Sequence, residues 1–126
     1  MATTTVHAPG NKAHFMHVKP VSTRIRIRCG NRVLADSTEA VRVMETGREP
    51  YDPIVYFPQS DVSRALAAID GKSTHCPLKG DASYFALDGE EIAWTYDRPL
   101  EGAAMLKHHV AFYPNKVTLE EIGADV

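Results

Sequence analysis

The dipeptide Asp88-Gly89 constrains the fold more than any other feature, because it separates two arms in which polar and apolar residues alternate. The arms cover residues 82–87 and 90–96, and Asp-Gly is a preferred two-residue turn between antiparallel strands. Pairing across such a turn sets Ser83 opposite Trp94. Since side chains alternate along a strand, this register predicts one face that carries Phe85, Ile92, Trp94 and Tyr96 and an opposite face that carries Tyr84 and Ala93. The segment is therefore predicted to be a β-hairpin.

A second alternating segment, Arg24–Cys29, predicts another hairpin. Gly30-Asn31 accepts the positive φ angles of a two-residue turn, and residues 32–35 return so that Ile27 faces Leu34. The register buries the isoleucines and puts the three arginines on the other face. Such a row is typical of the solvated face of an antiparallel sheet. A phosphate-binding or partner-docking stripe is the alternative.

Other short patterns complete a mainly β chain. Alternating or continuously apolar runs predict strands at 41–45, 54–57, 109–113 and 117–119. A helical stripe predicts about two turns of helix between Ser60 and Gly71, with the apolar positions Val62, Ala65, Leu66 and Ile69. Residues 101–107 predict one or two helical turns. The sum is a compact antiparallel β sandwich or open barrel of seven to eight short strands with one or two short helices.

Length and composition indicate one domain. The 126 residues divide into a loose N-terminal arm over 1–20, a single β domain over 21–120 and a C-terminal tail over 121–126. With 14 basic and 16 acidic residues the net charge is −2, so a nucleic-acid partner is not expected. A membrane span is not expected either, because no run of about 18 apolar residues occurs. Two cysteines, and no signal-peptide pattern in Met1–Gly10, favour a cytoplasmic location.

The segment Thr74–Tyr84 concentrates more chemical groups than any other stretch. It places the imidazole of His75, the thiol of Cys76, the ammonium of Lys79 and the turn residue Gly80 between the predicted helix and hairpin. Cys76 is a candidate nucleophile, and a reactive thiolate needs a nearby cation or helix N-terminus. His75 is a weak candidate base for it, because adjacent side chains in an extended segment point apart. A packing role is the alternative for Cys76.

Metal signatures are weak in this sequence. Structural zinc sites use four ligands and paired cysteine spacing, whereas Cys29 and Cys76 are unpaired and far apart. The histidines of the doublet His108-His109 would face opposite ways in a strand. No metal site is therefore predicted, although a site of His75 or Cys76 with one of these histidines and a carboxylate such as Asp81 stays open as an arrangement.

Two further pairs give weak signals. His14 and His17 stand three residues apart in the predicted arm, where no regular backbone is expected to hold them together. Lys79-Gly80 resembles a fragment of a phosphate-binding loop, but the Gly-x-x-x-x-Gly-Lys-Ser/Thr pattern is absent. No cofactor is predicted from these pairs.

Aromatic and polar residues of the motif and the hairpin together suit a small-molecule pocket, which typically has apolar walls and a few orienting polar groups. The predicted ligand-binding residues are His75, Cys76, Lys79, Gly80, Tyr84, Trp94, Tyr96 and Tyr113. The favoured function is the binding of a small molecule, with a phosphate- or carboxylate-bearing ligand as one version. The alternatives are an enzyme, with Cys76 as nucleophile or with His75 and Lys79 acting on a phosphate or carboxylate, and a protein-interaction domain. Edge strands of so small a sheet would also allow a homodimer.

Three segments carry a resemblance to a known family: residues 41–47 continuing to Pro58, residues 74–84, and residues 93–96 continuing to Tyr113. With the first hairpin, the stretch from about 21 to 119 resembles bacterial and fungal proteins that contain the domain of unknown function 427. The resemblance implies a compact, mainly antiparallel β domain. It also brings a nucleotidyltransferase-like label, although this sequence lacks the Gly-Ser and paired-aspartate pattern of the usual nucleotidyltransferases.

The central motif is the most specific part of the resemblance. The residues that the resemblance carries over as site lining are His75, Cys76, Pro77, Lys79, Gly80, Tyr84, Trp94 and Tyr96. The sequence departs from the family at two positions. Met44 stands where family members often have tryptophan, and His108 stands where they frequently have glycine.

Overall fold

The computed structural model describes residues 3–123, and most of them lie in strands. The strands are β1 (Thr4–Ala8), β2 (Asn11–Pro20), β3 (Arg24–Cys29), β4 (Arg32–Ser37), β5 (Val41–Thr46), β6 (Ile54–Pro58), β7 (Ala67–Cys76), β8 (Gly80–Leu87), β9 (Glu90–Pro99), β10 (His109–Phe112) and β11 (Thr118–Ile122). Two 3₁₀ segments cover Gln59–Asp61 and Glu101–Leu106. Over this range, no helix is long and apolar enough to cross a membrane.

The strands form two antiparallel sheets. The larger sheet has eight strands in the order β1-β2-β5-β6-β10-β9-β8-β7, and the smaller has the order β11-β3-β4. The predicted class, mainly antiparallel β, is confirmed, and the sheets are open rather than closed. Residues 3–123 contain eleven strands rather than seven or eight, because the first twenty residues and the predicted helix also contribute strands.

One apolar core fills the space between the two sheets. Its members are Val21, Ile25, Ile27, Leu34, Ala35, Ala40, Val55, Phe57, Leu87, Ile92, Ala93, Val110 and Phe112. The arginines that alternate with Ile25 and Ile27 face outward, where they pair with acidic side chains of the flanking strands. The strict alternation of β3 therefore puts its isoleucines in the core and its arginines on the solvated face, as in a half-buried strand.

A second apolar cluster lies on the opposite face of the eight-stranded sheet. Its members are Val6, Ala8, Met16, Val18, Val43, Tyr56, Leu78, Ala82, Tyr96, Ala103, Leu106 and Ala111. These residues come from β1 and β2 at one end of the sheet and from β8 and β9 near the other. The sheet therefore curls around this cluster, and we call this its concave face.

The loose arm predicted over residues 1–20 is wrong for the described part. Residues 4–20 form the hairpin β1–β2, which pairs with β5 through β2. Val6 and Ala8 are buried while their neighbours in β1 are exposed, and in β2 Met16 and Val18 are buried while their neighbours are half-buried or exposed. This period-two pattern is short and interrupted by the turn at Gly10 (φ +75°), which makes it weak in the sequence. Residues 1–2 and 124–126 lie outside the described range, while Glu121 and Ile122 of the predicted tail belong to β11.

The helix predicted between Ser60 and Gly71 is also wrong. Only Gln59–Asp61 is helical, as a 3₁₀ turn, and Ala67 already pairs with β8 as part of β7. The apolar stripe that suggested a helix does contact the core, since Val62 and Leu66 pack against the cluster between the sheets. Hydrogen bonding to the edge of the sheet therefore outweighs the local helical pattern. The helical turns predicted at 101–107 correspond to the 3₁₀ segment Glu101–Leu106, which is interrupted at Ala103 by non-helical angles (φ −108°, ψ 16°), and no α-helix forms there.

Bulges shift both predicted hairpins. Ile27 lies opposite Ala35 instead of Leu34, because the β3–β4 register slips after Ile27. In the β8–β9 hairpin the turn pairing holds, but a slip between Phe85 and Ala86 sets Tyr84 opposite Trp94. A one-residue slip moves side chains to the other face of a strand. Tyr84 and Trp94 consequently share the concave face, instead of facing opposite ways.

The turn between β7 and β8 folds into the concave face. Cys76 pairs with Gly80, so Pro77, Leu78 and Lys79 form the turn. Leu78 is 1% exposed and belongs to the concave cluster, while the backbone carbonyl of Lys79 accepts a 2.9 Å hydrogen bond from the amide of Leu100. The turn is thus held in place by the packing of the Leu78 side chain and by a backbone hydrogen bond.

Replacing Gly80 with alanine should destabilise this turn by about 3 kcal/mol or more, because two costs add. Gly80 has a φ of +111°, and a Cβ there would lie 2.6 Å from the Arg98 carbonyl oxygen and the Leu100 nitrogen. Gly89→Ala is the matched control, since Gly89 has a φ of +84° but nothing within 4 Å of its Cβ position. It should cost about 1 kcal/mol. Urea unfolding of both variants measures the difference, and equal costs would contradict the close packing of this turn.

Candidate functional site

The concave face opens into a cavity of about 250 Å³. Strands β5, β6, β8, β9 and the turn before β8 supply most of its wall. The lining residues are Val43, Glu45, Tyr51, Asp52, Ile54, Tyr56, Lys79, Tyr84, Trp94, Tyr96 and Tyr113. Six of them are aromatic, so the cavity is an aromatic pocket with a small number of polar groups.

An ion pair lies at the polar side of the cavity. Lys79 donates a hydrogen bond to Oε1 of Glu45, and the Nε2 atom of His14 lies 2.8 Å from Oε2 of the same carboxylate. The side chains of Lys79 and Glu45 are only 9% and 17% exposed. Burial alone would raise the pKa of Glu45, but the hydrogen bonds from Lys79 and His14 outweigh it and hold the pKa below its ordinary value. Glu45 is therefore a carboxylate that two partners keep charged.

Trp94 is held in place by two aromatic neighbours. Its indole N–H donates a 3.2 Å hydrogen bond to the Tyr56 hydroxyl, and the two rings meet edge to face with centroids 6.3 Å apart. On the other side, the Tyr113 ring lies 5.0 Å from Trp94, and the Tyr113 hydroxyl donates to Oε2 of Glu91 over 2.6 Å. Trp94 is thus a rigid wall of the cavity.

Two phenols in the cavity keep their protons. Burial raises the pKa of Tyr56 and of Tyr96 well above the ordinary value. The Tyr56 hydroxyl accepts from Trp94 and so retains its own hydrogen for donation. Within residues 3–123, no side chain is hydrogen-bonded to the Tyr96 hydroxyl. The ammonium of Lys79 lies 5.6 Å from the centre of the Tyr96 ring, within the range of a cation–π contact.

The structure brings together five of the eight residues predicted to bind a ligand. Lys79, Tyr84, Trp94, Tyr96 and Tyr113 all line the cavity. Tyr84 is fixed by a 2.6 Å hydrogen bond between its hydroxyl and Thr74, and by the Lys72 ammonium 4.3 Å from its ring centre. Their role in binding remains a prediction, but they share one surface.

The other three predicted residues lie outside this lining. The His75 side chain is 62% exposed, and its Nδ1 lies 2.7 Å from Oδ1 of Asp81. His75 is therefore not placed to act as a base for Cys76. The sequence analysis expected this, because adjacent side chains in an extended segment point apart. Cys76 is half-buried beside Glu45 and His14 instead. Gly80 acts through its backbone geometry.

Glu45 and Tyr56 are central to the cavity, and the sequence analysis missed both. One signal could have found Glu45. It lies two residues after the buried Val43 in β5, so a carboxylate occupies a row of apolar side chains. Such a buried carboxylate requires a partner. Nothing local points to Lys79 as that partner, because 34 residues separate the two.

The arginine row lies on the far side of the small sheet. Arg24 makes two hydrogen bonds to Asp36, at 2.7 and 2.6 Å, and Arg26 lies 3.3 Å from the same carboxylate. Arg28 pairs with Glu120. The hydrogen bond from Arg24 lowers the pKa of Asp36 despite some burial. These arginines are partnered within the protein, which agrees with the solvated-face interpretation.

A comparison with protein families gives one match. The family model described as Domain of unknown function (DUF427) matches residues 17–123, most of the chain. The chain belongs to the DUF427 family. The resemblance found in the sequence is thereby confirmed, and the DUF427 segment contains every residue that lines the cavity. His14 and strand β1 lie before it. A comparison with curated proteins found no match.

Lys79→Met should destabilise the protein by about 2 kcal/mol, because it leaves the carboxylate of Glu45 largely buried with one partner fewer. Glu45→Gln should cost a similar amount, since it leaves the ammonium unpaired. The double variant removes both charges and should lie closer to wild type than the sum of the single changes. Unfolding free energies of the four proteins form a double-mutant cycle. Strictly additive costs would show that the two groups do not interact.

The pair should also make stability depend on pH. The pKa of Glu45 is below its ordinary 4.5, so the unfolded chain takes up a proton at a higher pH than the folded protein does. The contribution of Glu45 is therefore complete above the unfolded value and is lost as the pH falls through the folded value. The difference in unfolding free energy between wild type and Glu45→Gln should shrink between pH 7 and pH 3. A constant difference across that range would contradict the lowered pKa.

Proposed function

We propose that the protein binds a small planar molecule that carries a carboxylate or phosphate, in the cavity of the concave face. The observation that carries this proposal is the combination of six aromatic side chains with the hydrogen-bond donors of Lys79, Tyr56 and Tyr96 in the lining of one cavity. Small-molecule sites typically have this composition, with apolar walls and few orienting polar groups.

Size limits the ligand to about one substituted ring. The cavity measures about 250 Å³, just below the range of roughly 300–1,000 Å³ in which drug-sized ligands bind. Trp94 and Tyr84 offer ring faces on paired positions of β9 and β8, where a planar group can stack. Both rings are held by hydrogen bonds before any ligand arrives. A preformed wall lowers the entropic cost of binding.

The donors of the cavity favour a ligand with acceptor oxygens. An ammonium has three N–H groups, and Glu45 takes one of those of Lys79. The hydroxyls of Tyr56 and Tyr96 stay protonated because burial raises their pKa. Asp52 is an exposed residue of the lining. A ligand that donates a hydrogen bond to Asp52 and accepts one from Lys79 would be held in one orientation. A carboxylate or phosphate meets the donors better than a neutral apolar group does.

Fluorescence of Trp94 provides the test, because it is the one tryptophan in the sequence and it lines the cavity. Titration with a panel of aromatic carboxylates, amino-acid derivatives and sugar or aryl phosphates should give a saturable change in its emission. Tyr96→Phe removes only a hydroxyl that has no hydrogen-bond partner among residues 3–123, and it should weaken binding about tenfold or more for a charged acceptor.

Tyr113→Phe is the matched control. It also removes one hydroxyl from a ring of the lining, but that hydroxyl is already donated to Glu91. Affinity should therefore change little. Equal weakening by both variants would place the ligand elsewhere than at the donors of the cavity. The absence of a saturable signal across the whole panel would contradict the proposed function.

A further inference from the structure

Three side chains with metal-binding atoms converge at the edge of the concave face. They are His14 of β2, Glu45 of β5 and Cys76 at the end of β7. One ligand atom from each lies within 4.8 Å of the other two, and all three residues are half-buried. Strand β7 is the far edge of the sheet, so only the curl of the sheet brings Cys76 to the other two.

The types of these atoms suit zinc. Zn²⁺ binds imidazole nitrogen, carboxylate oxygen and thiolate sulfur with bonds of about 2.0–2.3 Å, which puts neighbouring ligand atoms of a tetrahedron about 3.3–3.7 Å apart. Nε2 of His14 and Oε2 of Glu45 are 2.8 Å apart, and the largest separation in the cluster is within 4.8 Å. Side-chain movements of about 1 Å would therefore complete a three-residue site.

Lys79 does not compete for the same carboxylate oxygen. It binds Oε1 of Glu45, whereas His14 lies at Oε2. A carboxylate that binds a metal through one oxygen commonly accepts a hydrogen bond at the other, and this contact fixes its orientation. The carboxylate and a thiolate together also supply two negative charges for a dication.

We propose that His14, Glu45 and Cys76 bind one Zn²⁺ ion, with its fourth position next to the cavity that Glu45 also lines. Binding forms the sulfur–zinc bond while the thiol proton of Cys76 leaves to solvent. Three protein ligands and one open position are the arrangement that zinc adopts where it contacts a water or a ligand. This metal site goes beyond the proposed ligand binding. It does not depend on that binding, because all three metal ligands are side chains of the protein.

Titration of the full chain, free of any histidine tag and under reducing conditions, with Co²⁺ tests the site. Cobalt replaces zinc in such sites, and a thiolate ligand gives it a charge-transfer absorption in the near ultraviolet. One equivalent of Co²⁺ should produce this band, and one equivalent of Zn²⁺ should remove it. Cys76→Ser should abolish the band, and His14→Gln should weaken Co²⁺ binding at least tenfold.

The chain offers a matched control for each variant. Cys29→Ser removes the other free cysteine, and His17→Gln removes a histidine of the same strand that is hydrogen-bonded to Thr5. Both should keep the band and the affinity. A band that survives Cys76→Ser, or one that is lost equally in Cys29→Ser, would overturn the proposal, as would the absence of any band in the wild type.

A measurement on the wild type avoids any effect of the variants on folding. Zn²⁺ should slow the alkylation of Cys76 by iodoacetamide at least tenfold and leave that of Cys29 unchanged, as read by mass spectrometry of the peptides. Equal rates for Cys76 with and without Zn²⁺ would overturn the site even if each variant failed to fold.

Discussion

The ion pair between Lys79 and Glu45 is the interaction on which the rest of the concave face depends. The eight-stranded sheet is open, with β1 and β7 as its edges, so side chains rather than a closed ladder hold its two ends in register. Lys79 comes from the turn after β7, and Glu45 comes from β5, near the other end. A largely buried ion pair of this kind adds little net stability, but breaking it is costly. It therefore ties the turn after β7 to β5.

The same carboxylate connects the features of this face. Glu45 accepts from Lys79 at one oxygen and lies beside His14 at the other, and it also lines the cavity. Tyr56 and Trp94 line the same cavity as this polar group. A charged group therefore lies next to an aromatic surface in a partly enclosed space, where electrostatic interactions are stronger than in bulk water. Binding of an acceptor-bearing ligand and binding of a metal ion both use that property.

Much of the fold follows from local sequence, whereas the site depends on pairings that are distant in sequence. The alternation of Arg24–Cys29 is strong enough to predict a strand and its buried face, and family resemblance singled out the motif around Lys79. The position of a β-bulge cannot be predicted from such alternation. The bulge between Phe85 and Ala86 changes the residue opposite Trp94 from Ser83 to Tyr84. The pairing of Lys79 with Glu45 could not be predicted either, because no local pattern in the sequence links the turn before β8 to β5. A cytoplasmic location and a homodimer stay predictions from composition and edge strands.

A carbon-13 NMR titration of the Glu45 carboxyl group, in the wild type and in Lys79→Met, measures this central interaction directly. The account predicts a wild-type pKa below 4.5, because two hydrogen bonds outweigh the effect of burial. In Lys79→Met the pKa should rise, since burial then acts against one fewer partner. A Glu45 carboxyl that titrates at its ordinary value in both proteins would show that the turn is not held against β5 by this pair.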